Sequence, residues 1–170
     1  MTAVPTSGTA ILTTPSDTEI LIVRDFDAPK HLVYKAYTTP ELVSRWWPSR
    51  RGRMTVCEID LRPGGAWRYE MIAEGGFEVA FHGEYREIVE NERIVATEIY
   101  EGTPEGDSPP ELNVITFTEL EDGRTRLEML IQCPTKEMRD TIINSGMEAG
   151  MQDGMDLLEE LAIELRGLDG

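Results

Sequence analysis

The sequence predicts one α+β domain in which an antiparallel sheet packs against a long C-terminal helix. Residues 54–133 carry apolar side chains at alternate positions, which is typical of strands with one buried face. Turn sequences such as Asp122-Gly123 separate these runs, so consecutive strands are expected to form hairpins and an antiparallel sheet. Residues 147–166 carry an apolar stripe at helical spacing, and such a helix can cover the apolar face of the sheet.

The composition is that of a globular domain and argues against two classes of partner. The chain has 170 residues, of which 40% are hydrophobic and 28% are charged, enough for one sizeable core. Its formal charge is −16, from 32 acidic and 16 basic residues. Nucleic acids and anionic membrane surfaces both attract basic proteins, so neither is expected as a partner. No apolar run approaches the ~18 residues of a membrane-spanning helix.

The cysteines and the N-terminal segment indicate a cytoplasmic location. Cys57 and Cys133 lack CxxC spacing and are expected to be reduced, buried thiols. Residues 1–18 lack the basic segment and long apolar run of a signal peptide. Their Thr, Ser, Pro and Gly content predicts a flexible lead-in, so the single folded domain is expected over residues 19–167.

One strand and two short helices are expected before the main part of the sheet. Residues 19–26 are rich in β-branched side chains and predict a strand. Asp27 and Pro29 suit the start of a helix that continues to Tyr37. A second helix is predicted over residues 41–47, ending before Pro48. Three arginines then form a basic loop: Arg50, Arg51 and Arg53.

Alternation continues through six further predicted strands. Trp67, Tyr69 and Met71 share one strand face, for example, while Arg68 and Glu70 share the other. Gly-rich turns and a Gly/Pro-rich loop over residues 101–110 separate the runs. The predicted strands are residues 54–61, 66–73, 77–89, 93–100, 112–120 and 124–133. A short helix over residues 135–144 leads into the final helix.

The final helix, predicted over residues 147–166, has an unusual composition. Ser145 and Glu148 have the spacing of a capping box, and Gly167 follows the expected end at Arg166. The apolar stripe uses methionine in its first half and leucine in its second. The residues opposite the stripe are polar: Gln152, Asp156, Glu159 and Glu160.

Three glycines follow one another at intervals of four residues. Gly146 comes just before this helix, and Gly150 and Gly154 lie within it. An interior glycine costs about 1 kcal/mol relative to alanine, so the ridge suggests close approach of another backbone or room for a ligand. The methionines are equally compatible with an ordinary core, because flexible methionine fills irregular gaps. Both interpretations stay open at this point.

Several stretches, taken in order, resemble one family. They are FDAPKHLVYKAYTTPELVSRWW (26–47), DLRPGG (60–65), HGEYREIVENERIVATE (82–98), ITFTELEDGRTRLEM (115–129) and GMEAGMQDGMDLLEEL (146–161). The set spans about residues 19–165. It resembles the domains similar to the Hsp90-ATPase activator C-terminal domain (AHSA1-like domains), which belong to the START-like superfamily, also called Bet v 1-like or SRPBCC.

The resemblance implies a helix-grip fold, in which a strongly curved antiparallel sheet wraps around the C-terminal helix and two short helices close one end. It also implies a cavity between sheet and helix. The paired tryptophans of the family are commonly followed by glycine, whereas Pro48 follows here, so the loop is expected to differ in shape. The chaperone activator has an additional N-terminal domain, so stimulation of Hsp90 is not expected from this chain.

Apolar residues on the inner strand faces and on the Gly/Met half of the last helix would line such a cavity. One of Trp46 and Trp47 is expected to anchor the core and the other to face the cavity mouth. Phe117 and Met129 depend most on strand register, since a one-residue slip inverts the faces. The candidate ligand-binding residues are Trp46, Trp47, Trp67, Tyr69, Met71, Phe81, Tyr85, Phe117, Met129, Met147, Gly150, Met151, Gly154, Met155 and Leu158. All of them would also serve as core residues.

No catalytic residue, metal site or cofactor is predicted. His31 and His82 are the only histidines, and neither an HxxxH nor a CxxC pattern occurs. Nucleophile-elbow, Walker and Rossmann patterns are absent from the sequence too. The basic loop has two open interpretations, attraction of an anionic ligand group to the cavity rim or balance of nearby carboxylates.

Three functions are therefore compatible with the sequence. The leading hypothesis is a non-enzymatic carrier or sensor of a small, largely apolar molecule. The second is an enzyme resembling polyketide cyclases and aromatases, with Tyr69, Tyr85 and His82 as polar candidates. The third is a chaperone-assisting or protein-interaction domain, which predicts an exposed apolar patch. A homodimer through a sheet edge or an exposed helix is compatible with each.

Overall fold

The structure is a computed structural model that describes residues 9–103 and 106–169. Within these residues it has eight strands in one antiparallel sheet and four α-helices, the helix-grip arrangement, so the predicted α+β class is confirmed. The strands are β1 Ile11–Thr13, β2 Glu19–Phe26, β3 Gly52–Ile59, β4 Ala66–Ala73, β5 Glu78–Val89, β6 Arg93–Tyr100, β7 Glu111–Glu119 and β8 Thr125–Gln132. The helices are α1 Lys30–Thr38, α2 Pro40–Trp46, α3 Lys136–Asn144 and α4 Met147–Asp169.

The strand order is β1-β2-β8-β7-β6-β5-β4-β3, so each strand from β3 to β8 pairs with its neighbour in the chain. Strand β2 closes against β8 along its whole length, with Glu19 opposite Gln132 and Phe26 opposite Thr125. The register shifts within the β3–β4 and β5–β6 pairs. Such bulges bend a strand and increase its twist, which helps the sheet curve around α4.

The leucine half of α4 seals the sheet. Leu158, Leu161 and Ala162 are buried in the main core together with inner-face residues of the strands. Helices α1 and α2 both pack against α4, and the indole N–H of Trp46 donates to the carbonyl of Ala36 at 2.9 Å. This hydrogen bond ties α2 to α1 at one end of the barrel-like sheet.

A buried arginine joins the polar side of α4 to the sheet. Arg24 lies on the inner face of β2 and is fully buried. Its Nη1 contacts Asp156 Oδ1 at 2.7 Å, and its Nη2 contacts Glu159 Oε1 at 2.8 Å. The second carboxyl oxygen of Glu159 accepts from the backbone N–H of Asp27 at 2.7 Å. The polar side of α4 is therefore bonded to the rest of the chain and is not simply exposed to solvent.

The N-terminal segment differs from the flexible lead-in expected through residue 18. Strand β1 pairs antiparallel with β2, with Ile11 opposite Val23. The side-chain amide of Gln152 on α4 makes two hydrogen bonds with the backbone of Ala10: the Ala10 N–H donates to Oε1 at 3.1 Å, and Nε2 donates to the carbonyl at 2.8 Å. The strand pairing holds the segment to the sheet edge, and the two hydrogen bonds hold it to α4. The rest of the expected lead-in, residues 1–8, lies outside the described residues.

Both ends of α4 also differ from the prediction. The Ser145 hydroxyl donates to the carbonyl of Ile142 at 2.6 Å, at the end of α3, instead of forming the expected capping box. Gly146 follows with φ of +82°, a left-handed conformation that glycine adopts without strain. At its other end α4 continues to Asp169, because Gly167 remains within the helix. Among the described residues, no helix is long and apolar enough to cross a membrane.

Candidate ligand-binding site

A cavity of about 600 Å³ lies between the inner face of the sheet and the first half of α4. Strands β4 to β8 supply one wall, and the end of α2 and one face of α3 complete it, with Trp47 and Met138 as examples. Small-molecule sites in proteins typically have volumes of roughly 300–1,000 Å³ and mostly apolar walls. The cavity is therefore of a size that suits a small organic molecule.

Most of the candidate residues line this cavity. Those on its wall are Trp46, Trp47, Trp67, Tyr69, Phe81, Tyr85, Met129, Met147, Gly150, Met151, Gly154 and Met155. Three others lie outside the wall. Phe117 is inward-facing, as expected, but packs edge-on against Tyr34 and Tyr37 of α1. Leu158 is buried in the core, and Met71 lies beside Gly52 at the end of β4. Binding of a ligand by the lining residues stays a prediction.

One of the paired tryptophans anchors the core, as the sequence predicts, and both line the cavity. Trp46 is buried and anchors α2 through its hydrogen bond to Ala36. Trp47 is half-buried and packs edge-on against Tyr69 and Phe81, with ring centroids 5.0 Å and 5.4 Å apart. This aromatic cluster forms a continuous part of the cavity wall.

Gly150 and Gly154 of α4 serve different purposes. A Cβ on Gly154 would lie 3.2 Å from the carbonyl oxygen of Trp46, so this position permits close approach of the α2 backbone. A Cβ on Gly150 would meet no atom within 4 Å, and Gly150 lines the cavity. Close approach of another backbone therefore accounts for Gly154, whereas Gly150 borders open space of the cavity.

A pair of carboxyl groups that was not predicted from the sequence lies inside the cavity. Glu98 of β6 and Glu111 of β7 are direct cross-strand partners, and both line the cavity. Burial, followed by the hydrogen bond with Glu98 and the charge of that residue, raises the pKa of Glu111 to about 10. Glu111 is therefore protonated at neutral pH and donates to Glu98, so that the pair holds a shared proton.

A second polar group lies beside this pair. Asn113 occupies the next inward position of β7, is only 8% exposed and lines the cavity. Its side-chain oxygen Oδ1 has no hydrogen-bond partner among the described residues. Leaving a buried acceptor unpaired costs about 1–3 kcal/mol, so this oxygen is a site for a donor.

The surrounding groups are uncharged at neutral pH. Burial, and secondarily the charge of Glu98, raises the pKa of Tyr37 above its ordinary value. The thiol of Cys133 lies 3.9 Å from Glu111 Oε2, and burial raises its pKa to about 11. No lysine, arginine or histidine is among the described residues that line the cavity. The polar end of the cavity therefore has acidic character.

His82 lies on the outer face of the sheet and not in the cavity. Its Nδ1 bonds to Glu101, whose carboxylate also binds the Arg68 guanidinium at 2.6 and 3.0 Å. Of the three polar candidates for an enzyme, only Tyr69 and Tyr85 face the cavity. His82 therefore belongs to a hydrogen-bonded network with Glu101 and Arg68 on the outer face of the sheet.

Two arginines of the basic loop bind the carboxylates of α4. Arg50 contacts Asp153 at 3.6 Å and Glu160 at 3.4 Å, and Arg51 contacts Asp153 at 3.6 Å. This geometry agrees with charge balance, the second of the two interpretations given above. Within the described part of the chain, no cluster of His, Cys, Asp and Glu side chains is arranged to hold a metal ion.

Comparison with known proteins agrees with this fold. Residues 27–162 match the sequence model of one protein family. That family is described as activator of Hsp90 ATPase homolog 1-like protein. A protein from Rhodobacter sphaeroides has a similar structure, with 23% identity and a TM-score of 0.82 over 93% of this chain and 98% of that chain. Protein Ms6760 from Mycobacterium smegmatis is 25% identical, with a TM-score of 0.80 over 90% of this chain and 96% of its own.

Protein CV1439 from Chromobacterium violaceum is 28% identical, with a TM-score of 0.74 over 86% of this chain and 98% of its own. No curated protein is significantly similar in sequence. The structural similarities support the helix-grip fold, and the family match covers most of the chain. This chain therefore belongs to the family of activator of Hsp90 ATPase homolog 1-like proteins.

Proposed function

We propose that the protein is a carrier or sensor that binds a small, largely apolar molecule in the cavity beneath α4. The observation that supports this proposal is the cavity of about 600 Å³ with aromatic and methionine walls and a few polar groups. Apolar walls supply affinity through burial, whereas a few fixed polar groups set the orientation of a ligand. Met147, Met151 and Met155 form the helical wall, and flexible methionines adapt to ligands of different shape.

Tryptophan fluorescence offers a direct test, since all three tryptophans, Trp46, Trp47 and Trp67, line the cavity. The protein is incubated with a mixed lipid and metabolite extract, and captured compounds are identified by native mass spectrometry. A captured compound is expected to change the fluorescence saturably and to raise the melting temperature. At a ligand concentration of 100 times Kd, the added stability is about 2.7 kcal/mol. Failure of every extract compound to do both would contradict the proposal.

Filling the cavity from the helix side is a second test. Gly150→Leu is expected to abolish ligand binding, because its side chain would enter the open space next to position 150. The same change is expected to leave stability unchanged or to raise it by up to about 1 kcal/mol, since it removes an interior helix glycine. Urea unfolding measures the stability, and fluorescence titration measures the binding.

Gly154→Leu is the matched control, one turn further along α4. Its Cβ would lie against the Trp46 carbonyl oxygen, so we expect overpacking that lowers the free energy of unfolding by about 1–3 kcal/mol. Retained binding by Gly150→Leu, or equal stability effects at the two positions, would show that the cavity does not extend beneath Gly150 in solution.

A polyketide cyclase or aromatase-like enzyme is a second candidate, and the carboxyl pair favours it. Protonated Glu111 has the form of a general acid, and Glu98 lies beside it. A captured compound that is chemically altered during incubation would support catalysis, and Glu111→Gln would then slow that conversion by about 100-fold or more. A compound recovered unchanged would support the carrier or sensor.

The remaining expectations have narrower support. The large exposed apolar side chains include Phe77 just before β5, Val89 at the end of β5, and Ile163 and Leu168 on α4. This scatter gives little support to an interaction patch.

We propose a cytoplasmic location because Cys57 and Cys133 are both free thiols. Self-association as a homodimer stays a prediction.

A further inference from the structure

We infer that the ligand is an apolar primary amine whose ammonium group binds between Glu98, Glu111 and Asn113. The inference rests on the proposed function and names the chemical class of the molecule that the cavity takes. It is carried by the arrangement of three hydrogen-bond acceptors at the acidic end of the cavity.

The sheet brings these three acceptors together. Glu98 and Glu111 are opposite each other on β6 and β7, and Asn113 is the next residue of β7 on the same face. All three line the cavity. The Asn113 oxygen is more than nine-tenths buried and lacks a partner among the described residues, so it is an acceptor that the protein itself leaves open.

The number of donors distinguishes a primary amine from other amphiphiles. A primary ammonium group has three N–H donors, one for each of the two carboxyl groups and the amide oxygen. An alcohol has one donor and leaves two acceptors without a new partner. A carboxylate has none, and it would place a further acceptor against three existing ones.

The charges of the cavity wall and of the whole chain also favour an amine. The described lining residues include acidic but no basic side chains, and the chain as a whole has a formal charge of −16. A cation would be attracted to the acidic pair, whereas an anion would place a like charge beside it.

The test compares decylamine, decanol and decanoate, which share one alkyl chain and differ in their polar ends. Binding to the full chain is measured by calorimetry and tryptophan fluorescence at neutral pH. We expect decylamine to bind at least about tenfold more tightly than decanol, since charge-assisted hydrogen bonds are stronger than neutral ones. Decanoate is expected to bind more weakly than decanol.

Variants separate the site from the general attraction of an acidic protein for a cation. Glu98→Gln combined with Glu111→Gln keeps the size of both side chains and removes their charge, so decylamine is expected to bind no better than decanol. Glu58→Gln combined with Glu119→Gln removes two exposed carboxylates and is expected to retain the amine preference. Asn113→Leu leaves the charge unchanged and is expected to weaken decylamine several-fold more than decanol.

The possible outcomes distinguish the inference from the proposed function. If decanol binds as tightly as decylamine, or if the Glu98/Glu111 double variant keeps the preference, the inference is overturned and the cavity is still a ligand site. Should the double variant fail to fold, the Asn113→Leu comparison decides, and equal weakening of amine and alcohol overturns the inference. Failure of all three probes also overturns it, whereas the extract experiment and Gly150→Leu decide the proposed function independently.

Discussion

Arg24→Met is expected to lower the free energy of unfolding by about 3 kcal/mol or more. Arg24 is fully buried and binds Asp156 and Glu159 at 2.7 and 2.8 Å, so it joins β2 to α4. Methionine keeps the length and apolar volume of the side chain but leaves both carboxylates without their cation. Removing one partner of a buried ion pair costs about 3–5 kcal/mol, because the remaining charge is left uncompensated. The Glu159 side chain, only 15% exposed, is expected to carry most of that cost.

Urea unfolding at neutral pH measures this effect, and Arg45→Met provides the matched control. Arg45 binds Glu164 of α4 at 2.8 Å, a distance equal to that of the Arg24–Glu159 pair, but both side chains are about half exposed. Exposed ion pairs contribute about 0–1 kcal/mol, so the control is expected to change stability by no more than that. Equal effects of the two substitutions would contradict the assignment of Arg24 as the residue that fastens the helix to the sheet.

Much of the fold is predictable because each strand has one apolar face and most turns have glycine or Asp-Gly. The predicted strands 66–73 and 93–100 have the same bounds as β4 and β6 in the structure. Alternation identifies them reliably because a strand buried on one side must alternate, whatever its partners are. The antiparallel order then follows from the short connections between neighbouring strands.

The polar contacts of α4 were not predictable in this way. Gln152, Asp156 and Glu159 lie opposite the apolar stripe, and their polarity by itself predicts a solvated face. In the structure they bind Ala10 and Arg24. The hydrophobic pattern shows which side chains are polar but not what they bind. A sequence therefore does not distinguish a polar side chain that has a buried partner from one that is hydrated. Strand β1 was not predicted because the Thr, Ser, Pro and Gly content of residues 1–18 is typical of a flexible segment.

The candidate site was partly predictable. Alternation places Trp67, Tyr69 and Tyr85 inward, and they line the cavity. The carboxyl pair was missed although its signal is present, since Glu98 follows Ile94 and Ala96 at inward positions of β6. An acidic side chain by itself predicts a surface position, and so the pair was not predicted. The volume of the cavity depends on how far the first half of α4 stands from the sheet, which no local pattern reports.

Glu111→Gln is expected to stabilise the protein, and increasingly so as the pH rises. The pKa of Glu111 is raised in the folded protein, from about 4.5 to about 10, so the folded state binds its proton more tightly than the unfolded state does. The stability that this proton contributes is complete below pH 4.5 and is lost as the pH rises toward 10. Glutamine keeps a neutral donor toward Glu98 at every pH and avoids the loss.

The difference between variant and wild type is expected to be close to zero near pH 4 and at least about 2 kcal/mol at pH 8, since each pKa unit corresponds to about 1.4 kcal/mol. Urea unfolding across this range measures it, and Glu119→Gln, an exposed carboxylate on the same strand, is expected to show almost no pH dependence. Cys133 and Tyr37 stay neutral throughout, because their pKa values are raised by burial. A constant difference would mean that Glu111 is ionised inside the folded protein.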